Sequence, residues 1–452
     1  MRTIFITSFH GLISRVLQSG ILDFLQEKKD LRIVILVPDF KKDYFLEKFG
    51  KRENVIIEGI DDKVLLRRAY IFHKLSFVLL DTKTMRLTRR SFRGYKHSYE
   101  IIMAQFIASF FGRWKFVRNI FRKINYYFSG KPVFASYFDK YKPALVFSAD
   151  IKHVLDTQLV IEAKKRKIFT IGMVRSWDYL TGKGMVRVVP DKMIVHNETI
   201  KKEAVKYVDM MEENVFVSGL PHFDPYINEK RKSKEIFFKK IGVNYDKRLL
   251  LYIPWGDKFA DTDWQFLRMI CDAIENGRLP SNLQVLMRMP PGDTVNLEKL
   301  KQYKEVVIDS PGVVFGERGR KANEMSYDDL LHLADLLHYS EVVVAPPSTL
   351  AIDAAAFDRP VVLMAFDGEN KKKYYEGVGH YYDFDHISNL VKIGGQKLAR
   401  NKKELIDYIN DYLKNPSLDK ESRKRVVNEQ CWKLDGKSSQ RVADFILFFL
   451  SR

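Results

Sequence analysis

Short apolar runs recur along the chain, and polar segments with helical spacing separate most of them. Continuous apolar runs that alternate with helices are typical of parallel strands covered on both faces. The pattern therefore predicts an α/β protein with parallel sheets. The predicted strands are 3–7, 32–37, 54–58, 144–148, 168–172, 192–196 and 215–219 in the first half, and 249–254, 283–289, 305–310, 341–345 and 361–365 in the second half.

The alternation stops after "SGLPHFDPY" and begins again near residue 249. The charged segment between the two halves opens on a proline-bearing turn, which suits a linker. We therefore expect two Rossmann-like, doubly wound domains with a cleft between them, and ligands in such folds bind outside the carboxyl ends of the strands. The predicted parts are an N-terminal domain (1–220), a linker (221–247), a C-terminal domain (248–436) and a terminal helix (437–452) with Ser438 and Ser439 as candidate caps.

A basic insertion interrupts the N-terminal domain at about 61–142, where aromatic residues recur at helical spacing. The formal net charge of the chain is +19, and the stretch 83–131 holds 12 Lys/Arg against one acid, Glu100. Such a stretch suits an anionic membrane surface. Alternatively, its aromatic residues face the core and its basic face is solvated, and both interpretations stay open here. The aromatic residues concerned are Phe106, Phe110, Trp114 and Phe121.

Several classes of protein are disfavoured by what the sequence lacks. The two cysteines, Cys271 and Cys431, do not make a disulfide framework. The N-terminus has no apolar signal-peptide region and no stretch is long enough for a transmembrane helix, so we expect a cytoplasmic protein, peripheral on the inner face of the membrane. No phosphate-binding glycine motif occurs, so an ATPase or a nicotinamide enzyme is disfavoured. The "DFD" at 383–385 is interpreted as coincidence rather than as a metal site.

The stretch "APPSTLAIDAAAF" (345–357) follows a predicted strand and opens a helix. Ser348 or Thr349 is expected to cap this helix, whose start favours a phosphate, while Asp353 accepts hydrogen bonds from ribose hydroxyls. The alternative is an ordinary capped crossover helix. Arg288, just past another apolar strand, is expected to reach a diphosphate, or else to form a surface ion pair.

The loop "RSWDYLTGKG" (175–184) carries an aromatic residue and charges directly after a predicted strand. Trp177 offers a face on which a sugar can stack, Asp178 is a candidate base, and Lys183 is a candidate acceptor contact. The alternative is a loop locked by its own turn hydrogen bonds.

Two further strand ends supply rival candidates for the base. His10 follows the first strand and is a candidate base near pH 7, although a lone histidine is more often structural. Arg15, in the same segment, is expected to meet an acidic acceptor. Asp150 and His153 follow the fourth predicted strand and are rivals for the same role.

The stretches "MVRSWDYLTGKG", "PDKMIVHNETIKKEAV" and "VFVSGLPHFDPY" resemble bacterial glycosyltransferases of the GT-B architecture. More narrowly, they resemble those of surface-polysaccharide and lipopolysaccharide synthesis, and "HYSEVVVAPPSTLAIDAAAFDRPVV" with "DGKSSQRVADFI" resembles their donor-binding end. The pattern is shared loosely with the glycerophosphotransferases that build teichoic acids. The resemblance extends from about residue 145 to the end of the sequence, and residues 1–40 show a weaker similarity.

The resemblance implies a nucleotide-sugar donor in the C-terminal domain, an acceptor in the N-terminal domain, and no bound metal or cofactor. Tyr179 and Gly182 depart from the family pattern, in which we expect asparagine and serine, and this puts the acceptor in doubt more than the fold. Carried over onto this sequence, the implied donor-binding residues are Arg288, Ser348, Thr349, Asp353 and His386.

We therefore expect a glycosyltransferase that acts on a surface-glycan or lipid-linked acceptor, with Asp178, then His10, then Asp150 preferred as the base. One alternative is a glycerophosphotransferase that uses CDP-glycerol. A second is a non-enzymatic nucleic-acid-binding protein, which is disfavoured because no RNA- or DNA-binding motif is present. The sugar, the nucleotide, the linkage and the stereochemical course stay open.

Overall fold

The computed structural model describes residues 1–11, 13, 17–61, 67–91, 99–128, 132–300, 303, 306–315 and 323–451. The chain forms two compact units. The first comprises Met1–Asp224 and Asp435–Arg452, and the second comprises Pro225–Leu434. Each unit contains one parallel sheet with helices between its strands, which confirms the predicted α/β class with two Rossmann-like sheets.

The first unit has a seven-stranded parallel sheet in the order β3-β2-β1-β4-β5-β6-β7. The order reverses between β1 and β4, and such a switch point is where doubly wound sheets bind their ligands. Ile4 on β1 lies opposite Ile33 on one side and Leu145 on the other. The strands are β1 Arg2–Thr7, β2 Leu31–Pro38, β3 Val55–Ile60, β4 Leu145–Ser148, β5 Phe169–Met173, β6 Lys192–Val195 and β7 Val215–Val217.

Helices cover the sheet of the first unit because its strands are apolar on both faces, as in the buried runs around Phe5 and Val146. Five of the described helices lie between β3 and β4, in the basic insertion. The helices are α1 Leu22–Gln26, α2 Lys42–Phe49, α3 Arg67–Leu79, α4 Lys83–Ser91, α5 Tyr99–Phe111, α6 Lys115–Phe128, α7 Ala135–Tyr141, α8 Val154–Lys165, α9 Tyr179–Gly182, α10 Glu198–Glu203 and the C-terminal helix Ser438–Leu450.

The C-terminal helix is capped by an acid from elsewhere in the first unit. The carboxylate of Asp224 accepts from the backbone N–H groups of Ser438 and Ser439 at 3.0 and 2.6 Å. A carboxylate satisfies the free N–H groups at a helix start and also complements the helix dipole. The prediction that the two serine side chains cap this helix is therefore wrong.

The second unit has a six-stranded parallel sheet in the order β10-β9-β8-β11-β12-β13, with its switch point between β8 and β11. The last strand lacks an apolar run and was not predicted, because it lies at the edge of the sheet and is only partly buried. The strands are β8 Arg248–Tyr252, β9 Leu283–Arg288, β10 Val307–Asp309, β11 Ser340–Ala345, β12 Val361–Met364 and β13 Gln396–Ala399.

The helices of the second unit pack mainly through apolar positions three or four residues apart, such as Phe266 and Ile270 on the helix Asp263–Glu275. Within the part of the chain that the structure describes, no helix is long and apolar enough to cross a bilayer. The helices are α11 Asp224–Asn228, whose first residue belongs to the first unit, α12 Lys234–Ile241, α13 Asp263–Glu275, α14 Tyr327–Tyr339, α15 Leu350–Ala356, α16 Asp385–Ile393, α17 Lys402–Lys414 and α18 Lys420–Val426.

The aromatic residues of the insertion are mostly on the surface. Phe106 is 60% exposed and Trp114 is 59% exposed, and Phe110 is also exposed. Phe121 is buried, at 8%, and packs with Met85. The interpretation that these side chains face the core is therefore wrong for the first three and correct for Phe121.

Candidate active site

The loops after β4 and β5 meet at the edge of the first sheet, as neighbouring parallel strands require. Asp150 follows β4 and is buried, and Arg175 follows β5. Oδ2 of Asp150 lies 3.1 Å from Nε of Arg175. Asp150, predicted as a candidate base, therefore sits in a nearly buried ion pair.

Lys152 holds the two ends of the 179–184 segment. Its side chain is buried, and Nζ donates hydrogen bonds to the carbonyl oxygens of Tyr179 and Gly184. Burial lowers the pKa of Lys152 to about 7, an effect that the nearby carboxylates of Asp178, Glu203 and Asp150 oppose. Because both bonds go to main-chain oxygens, they fix the path of the loop that carries Asp178.

Asp178 is at the start of the short helix α9 and makes no side-chain cap bond there. Its side chain is 20% exposed, and Oδ2 lies 3.3 Å from Nζ of Lys183, whose side chain is half exposed. Trp177, beside it, is also partly exposed. Turn bonds do hold the loop backbone, since the Gly182 N–H donates to the Asp178 carbonyl at 2.9 Å, while the carboxylate reaches the surface.

A group of buried polar side chains lies beside the carboxyl ends of β1 and β4 and supports the loops that follow them. Asp156 is fully buried and accepts from the hydroxyls of Thr7 and Ser148, the latter at 2.9 Å. Burial, together with the nearby charge of Asp150, raises the pKa of Asp156 to about 8. Nη2 of Arg187 donates to the carbonyl oxygen of Lys152 at 2.8 Å.

His10 lies in the loop after β1, at the same switch point, and is partly exposed. The neighbouring Phe9 ring stacks on His153, with 5.8 Å between the ring centroids. Burial lowers the pKa of His153 to about 4, so this histidine is neutral near pH 7. Arg15, the other candidate of this segment, lies outside the described residues.

In the second unit, Ser348 and Thr349 lie between β11 and the seven-residue helix α15. Thr349 occupies the N-cap position but makes no side-chain cap bond, because its backbone is already helical (φ −57°, ψ −26°) rather than extended. Oγ of Ser348 is buried and has no hydrogen-bond partner among the described residues. The prediction that one of these side chains caps the helix is therefore wrong.

Asp353 and Arg288 are both buried and both bonded within the second unit. Oδ1 of Asp353 accepts from the hydroxyl of Tyr226 at 2.7 Å. Arg288 forms an ion pair with Asp309, and Nε2 of His332 lies 3.0 Å from the other carboxylate oxygen of Asp309. Arg288 therefore forms an ion pair, as the alternative interpretation expected. That interpretation placed the pair on the surface, whereas the structure places Arg288 in the interior.

The loop after β8 lies at the switch point of the second sheet and was not predicted as part of a site. The backbone N–H groups of Trp255 and Gly256 each donate to the carboxylate of Asp263 at 2.9 Å. Burial raises the pKa of Asp263 to about 6. The indole N–H of Trp255 is buried and lacks a hydrogen-bond partner among the described residues. The sequence did contain a signal for this loop, since "PWGD" directly follows an apolar run that predicts a strand.

His386 lies in the first turn of α16, with its ring 6.0 Å from that of Phe384. No group of three or more His, Cys, Asp or Glu side chains that can hold a metal ion occurs among the described residues. Lys152, Arg175 and Arg187 were not predicted as site residues, although the first two lie shortly after apolar runs.

Residues 174–448 match the model of the CDP-glycerol:poly(glycerophosphate) glycerophosphotransferase family. The match covers more than half of the chain, so the chain belongs to this family. It includes the loop 175–184 and every strand of the second sheet. Membership supports an enzyme of the transferase class, in a family named for a polymer-forming reaction.

Two curated proteins are similar to parts of the chain. A teichoic acid poly(ribitol-phosphate) polymerase of Bacillus spizizenii is 23% identical over 265 residues, which cover 57% of this chain and 37% of that protein. A UDP-N,N'-diacetylbacillosamine 2-epimerase (hydrolyzing) of Legionella pneumophila is 26% identical over 203 residues, which cover 44% of this chain and 48% of that protein. The matched segments thus span less than half the length of either relative.

Solved structures confirm the fold. The S. aureus MnaA–UDP co-structure has a TM-score of 0.57 at 13% identity, covering 100% of this chain and 97% of that one. The wall teichoic acid polymerase TagF has a TM-score of 0.54 at 13% identity, covering 100% of this chain and 89% of that one. At these identities the likeness shows a GT-B-like fold, as the sequence resemblance implied.

Proposed function

We propose that the chain transfers an alditol phosphate from a CDP-activated donor, of the CDP-glycerol type, to a hydroxyl group of a surface-polymer acceptor. The observation that carries the proposal is the placement of Asp178. Its carboxylate reaches the surface from a loop whose ends are bonded to Lys152, and this loop lies within the segment that matches the family model. The family supplies the class of reaction, and the loop supplies a candidate base.

The proposed reaction is a displacement at phosphorus. The acceptor hydroxyl oxygen attacks the phosphorus atom that bears the alditol, and a new phosphodiester bond forms. The bond from that phosphorus to the bridging oxygen breaks, and CMP leaves with the electron pair. Asp178 takes the hydroxyl proton. Asp150 is less suited to this role, because its carboxylate is buried and is held in an ion pair with Arg175.

The acceptor is proposed to contact the exposed part of the same unit. Trp177 offers its ring to the carbon backbone of a polyol or a sugar, and Lys183 offers a cation to the phosphates of a growing polymer. His10 is the second candidate for the base, and Arg15 remains a proposed acceptor contact outside the described residues.

The donor is proposed to bind at the switch point of the second unit. Two buried polar atoms there, Oγ of Ser348 and Nε1 of Trp255, lack hydrogen-bond partners among the described residues, and such atoms call for an explanation. A donor phosphate or ribose supplies the missing acceptor. We propose contact roles for Thr349 and His386, and supporting roles for the internally bonded Asp353 and Arg288.

Ligand-induced stabilisation tests the donor class. CDP-glycerol and CMP are expected to raise the melting temperature of the full chain, since a ligand that binds only the native state stabilises it. The Ser348→Ala variant is expected to lose this shift while keeping the melting temperature of the free protein. Trp255→Phe is expected to lose the shift and also to lower that temperature, because it shortens a side chain packed in the core. A shift with UDP-sugars and none with cytidine nucleotides contradicts the donor proposal.

Transfer of a sugar is the second candidate function. The resemblance of "MVRSWDYLTGKG" to surface-polysaccharide glycosyltransferases favours it. In that reaction the acceptor attacks an anomeric carbon, and the phosphorus of the donor is not transferred. The phosphorus content of the product therefore distinguishes the two functions.

We also propose that the reaction takes place at the inner face of the membrane, on an acceptor held near an anionic surface. The exposed aromatic side chains of α5 and α6, together with the basic composition of 83–131, support this location.

A further inference from the structure

Helix α6 turns its apolar face outward and its charged face inward. Phe116, Ile120, Ile124 and Tyr127 recur every three or four residues and are exposed, so they form one stripe, called here the outer stripe. On the opposite face Arg118, Arg122 and Asn125 are buried. This is the reverse of the usual arrangement for a helix packed on a soluble core.

Asp209 holds the helix in this orientation. Its carboxylate accepts from Nε of Arg118 at 3.0 Å and from Nη1 of Arg122 at 2.8 Å. Nε of Arg122 also donates to the carbonyl oxygen of Val186 at 3.1 Å. Breaking a buried pair of this kind is costly, so the outward position of the outer stripe is built into the fold.

The outer stripe continues into α5 and is flanked by positive charge. Phe106 stacks on Phe110, and Phe110 stacks on Trp114, with centroids 5.9 and 6.3 Å apart. Lys115 and Lys123 are exposed on α6 itself. Exposed aromatic rings beside lysines, in a stretch with a single acid among 12 basic residues, complement an anionic lipid surface.

A basic pocket of about 250 Å³ opens beside the outer stripe, and Tyr127 belongs to both. Arg122 lines the pocket and is more than nine-tenths buried, and its Nη2 has no hydrogen-bond partner within the part of the chain that the structure describes. Desolvated guanidinium groups of this kind favour an anion. The other lining residues are Lys123, Tyr126, Tyr127, Lys164, Arg187, Val188 and Val189.

The pocket has more cations than nearby carboxylates. Arg122 shares Asp209 with Arg118, and Lys164 is paired with Asp191 at 2.7 Å. Across the described ranges, no carboxylate lies within salt-bridge distance of Lys123 or Arg187. Burial lowers the pKa of Arg187 to about 10, which leaves it charged at neutral pH. The pocket is therefore short of negative charge.

We propose that this pocket binds the phosphate of an anionic membrane lipid whose chains lie along the outer stripe. Its volume suits a phosphate headgroup and is below the roughly 300–1,000 Å³ typical of pockets for larger ligands. Nη2 of Arg122 and Nζ of Lys123 donate to the phosphate, and Tyr127 joins the polar pocket to the apolar surface. The inference rests on the proposed membrane location but not on the chemistry of transfer.

Co-sedimentation of the full chain with phosphatidylcholine vesicles, with and without phosphatidylglycerol, tests the proposal. We expect Lys123→Gln to weaken binding to the phosphatidylglycerol vesicles at least about tenfold, because a charge-assisted hydrogen bond is lost. The matched variant Lys115→Gln removes the same charge from the same helix outside the pocket, and it is expected to cost at most about fivefold, through the surface potential alone. Equal losses overturn the proposal.

Three further measurements complete the test. Phe116→Ser is expected to weaken binding to both kinds of vesicle without changing the melting temperature. Inorganic phosphate is expected not to displace the protein from vesicles, and displacement at millimolar phosphate means a site for free anions, which overturns the lipid assignment. A concentration-dependent dimer that Phe116→Ser dissociates identifies a second copy of the chain as the occupant and also overturns it. CDP-glycerol is absent throughout, so failure here and failure of the proposed function are separate results.

Discussion

Nε of Arg175 lies 3.1 Å from Oδ2 of Asp150, and this ion pair joins the loops that follow two neighbouring strands. Both side chains are largely buried, at 15% and 3% exposure. The pair therefore orders the edge of the sheet, whereas Asp178 on the next turn of the same loop remains at the surface. This difference makes Asp178 the more accessible of the two candidate bases.

Asp178→Asn is expected to lower kcat on the order of 10²–10⁴-fold, the range typical of a lost general base. The melting temperature and the KM for the donor are expected to change little. Asp150→Asn is the comparison variant, and it is expected to lower the melting temperature because it weakens the partner of a buried arginine. A silent Asp178→Asn beside an inactive but stable Asp150→Asn assigns the base to Asp150.

Lys152→Met is expected to destabilise the protein by about 1–3 kcal/mol and to lower kcat, because two buried carbonyl groups lose their donor. Urea unfolding measures the first effect and turnover the second. Lys165→Met is a matched control on the neighbouring helix, where the lysine is exposed, and it is expected to be nearly neutral. If Lys152→Met is as silent as the control, Lys152 does not hold the loop.

Asp156→Asn is expected to change how stability depends on pH. Burial raises the pKa of Asp156 from its ordinary 3.8 to about 8, so its contribution is fully present below about pH 4 and is lost as the pH rises toward 8. Asparagine does not titrate. The wild type should therefore lose stability relative to the variant across this window, by up to about 1.4 kcal/mol per pH unit. Parallel stability curves from pH 4 to 8 contradict this.

Variants of the Arg288–Asp309 pair distinguish a structural role of Arg288 from a role in donor binding. Arg288→Ala is expected to cost about 3–5 kcal/mol, because it leaves Asp309 without its cation. Adding Asp309→Asn to Arg288→Met removes the unpaired charge and keeps an acceptor for His332, so much of the stability should return. If the pair is structural, turnover returns with it. A double variant that is stable but has a much higher KM for the donor shows that Arg288 contacts the phosphates.

The parallel sheets were predictable because buried strands are apolar along their whole length. The same reasoning does not predict β13, because a partly buried edge strand has no continuous apolar run. Periodicity likewise identified the helices of the insertion, but not which side faces inward. That orientation depends on Asp209, 87 residues beyond Arg122 in the chain, and nothing in the local pattern reports such a partner.

The positions of Asp150 and Asp178 were predictable because both lie in loops that directly follow parallel strands, and the roles proposed for them stay predictions. The role of Lys152 was not, because it depends on two main-chain oxygens, at 179 and 184, that only the folded loop brings to one amine. The capping predictions at 348–349 and 438–439 were wrong for a related reason. Backbone geometry at Thr349 and a distant acid, Asp224, decide how these helices begin.

Product analysis is the decisive test of whether the chain transfers an alditol phosphate. The full chain is incubated with CDP-glycerol and a polyol-phosphate acceptor, and nucleotide chromatography is combined with phosphorus NMR of the acceptor. We expect one CMP to be released for each new phosphodiester, and we expect the CMP and the phosphodiester signal both to be lost in Asp178→Asn. Release of a nucleoside diphosphate from a nucleotide sugar, with a glycosylated acceptor that gains no phosphorus, contradicts it.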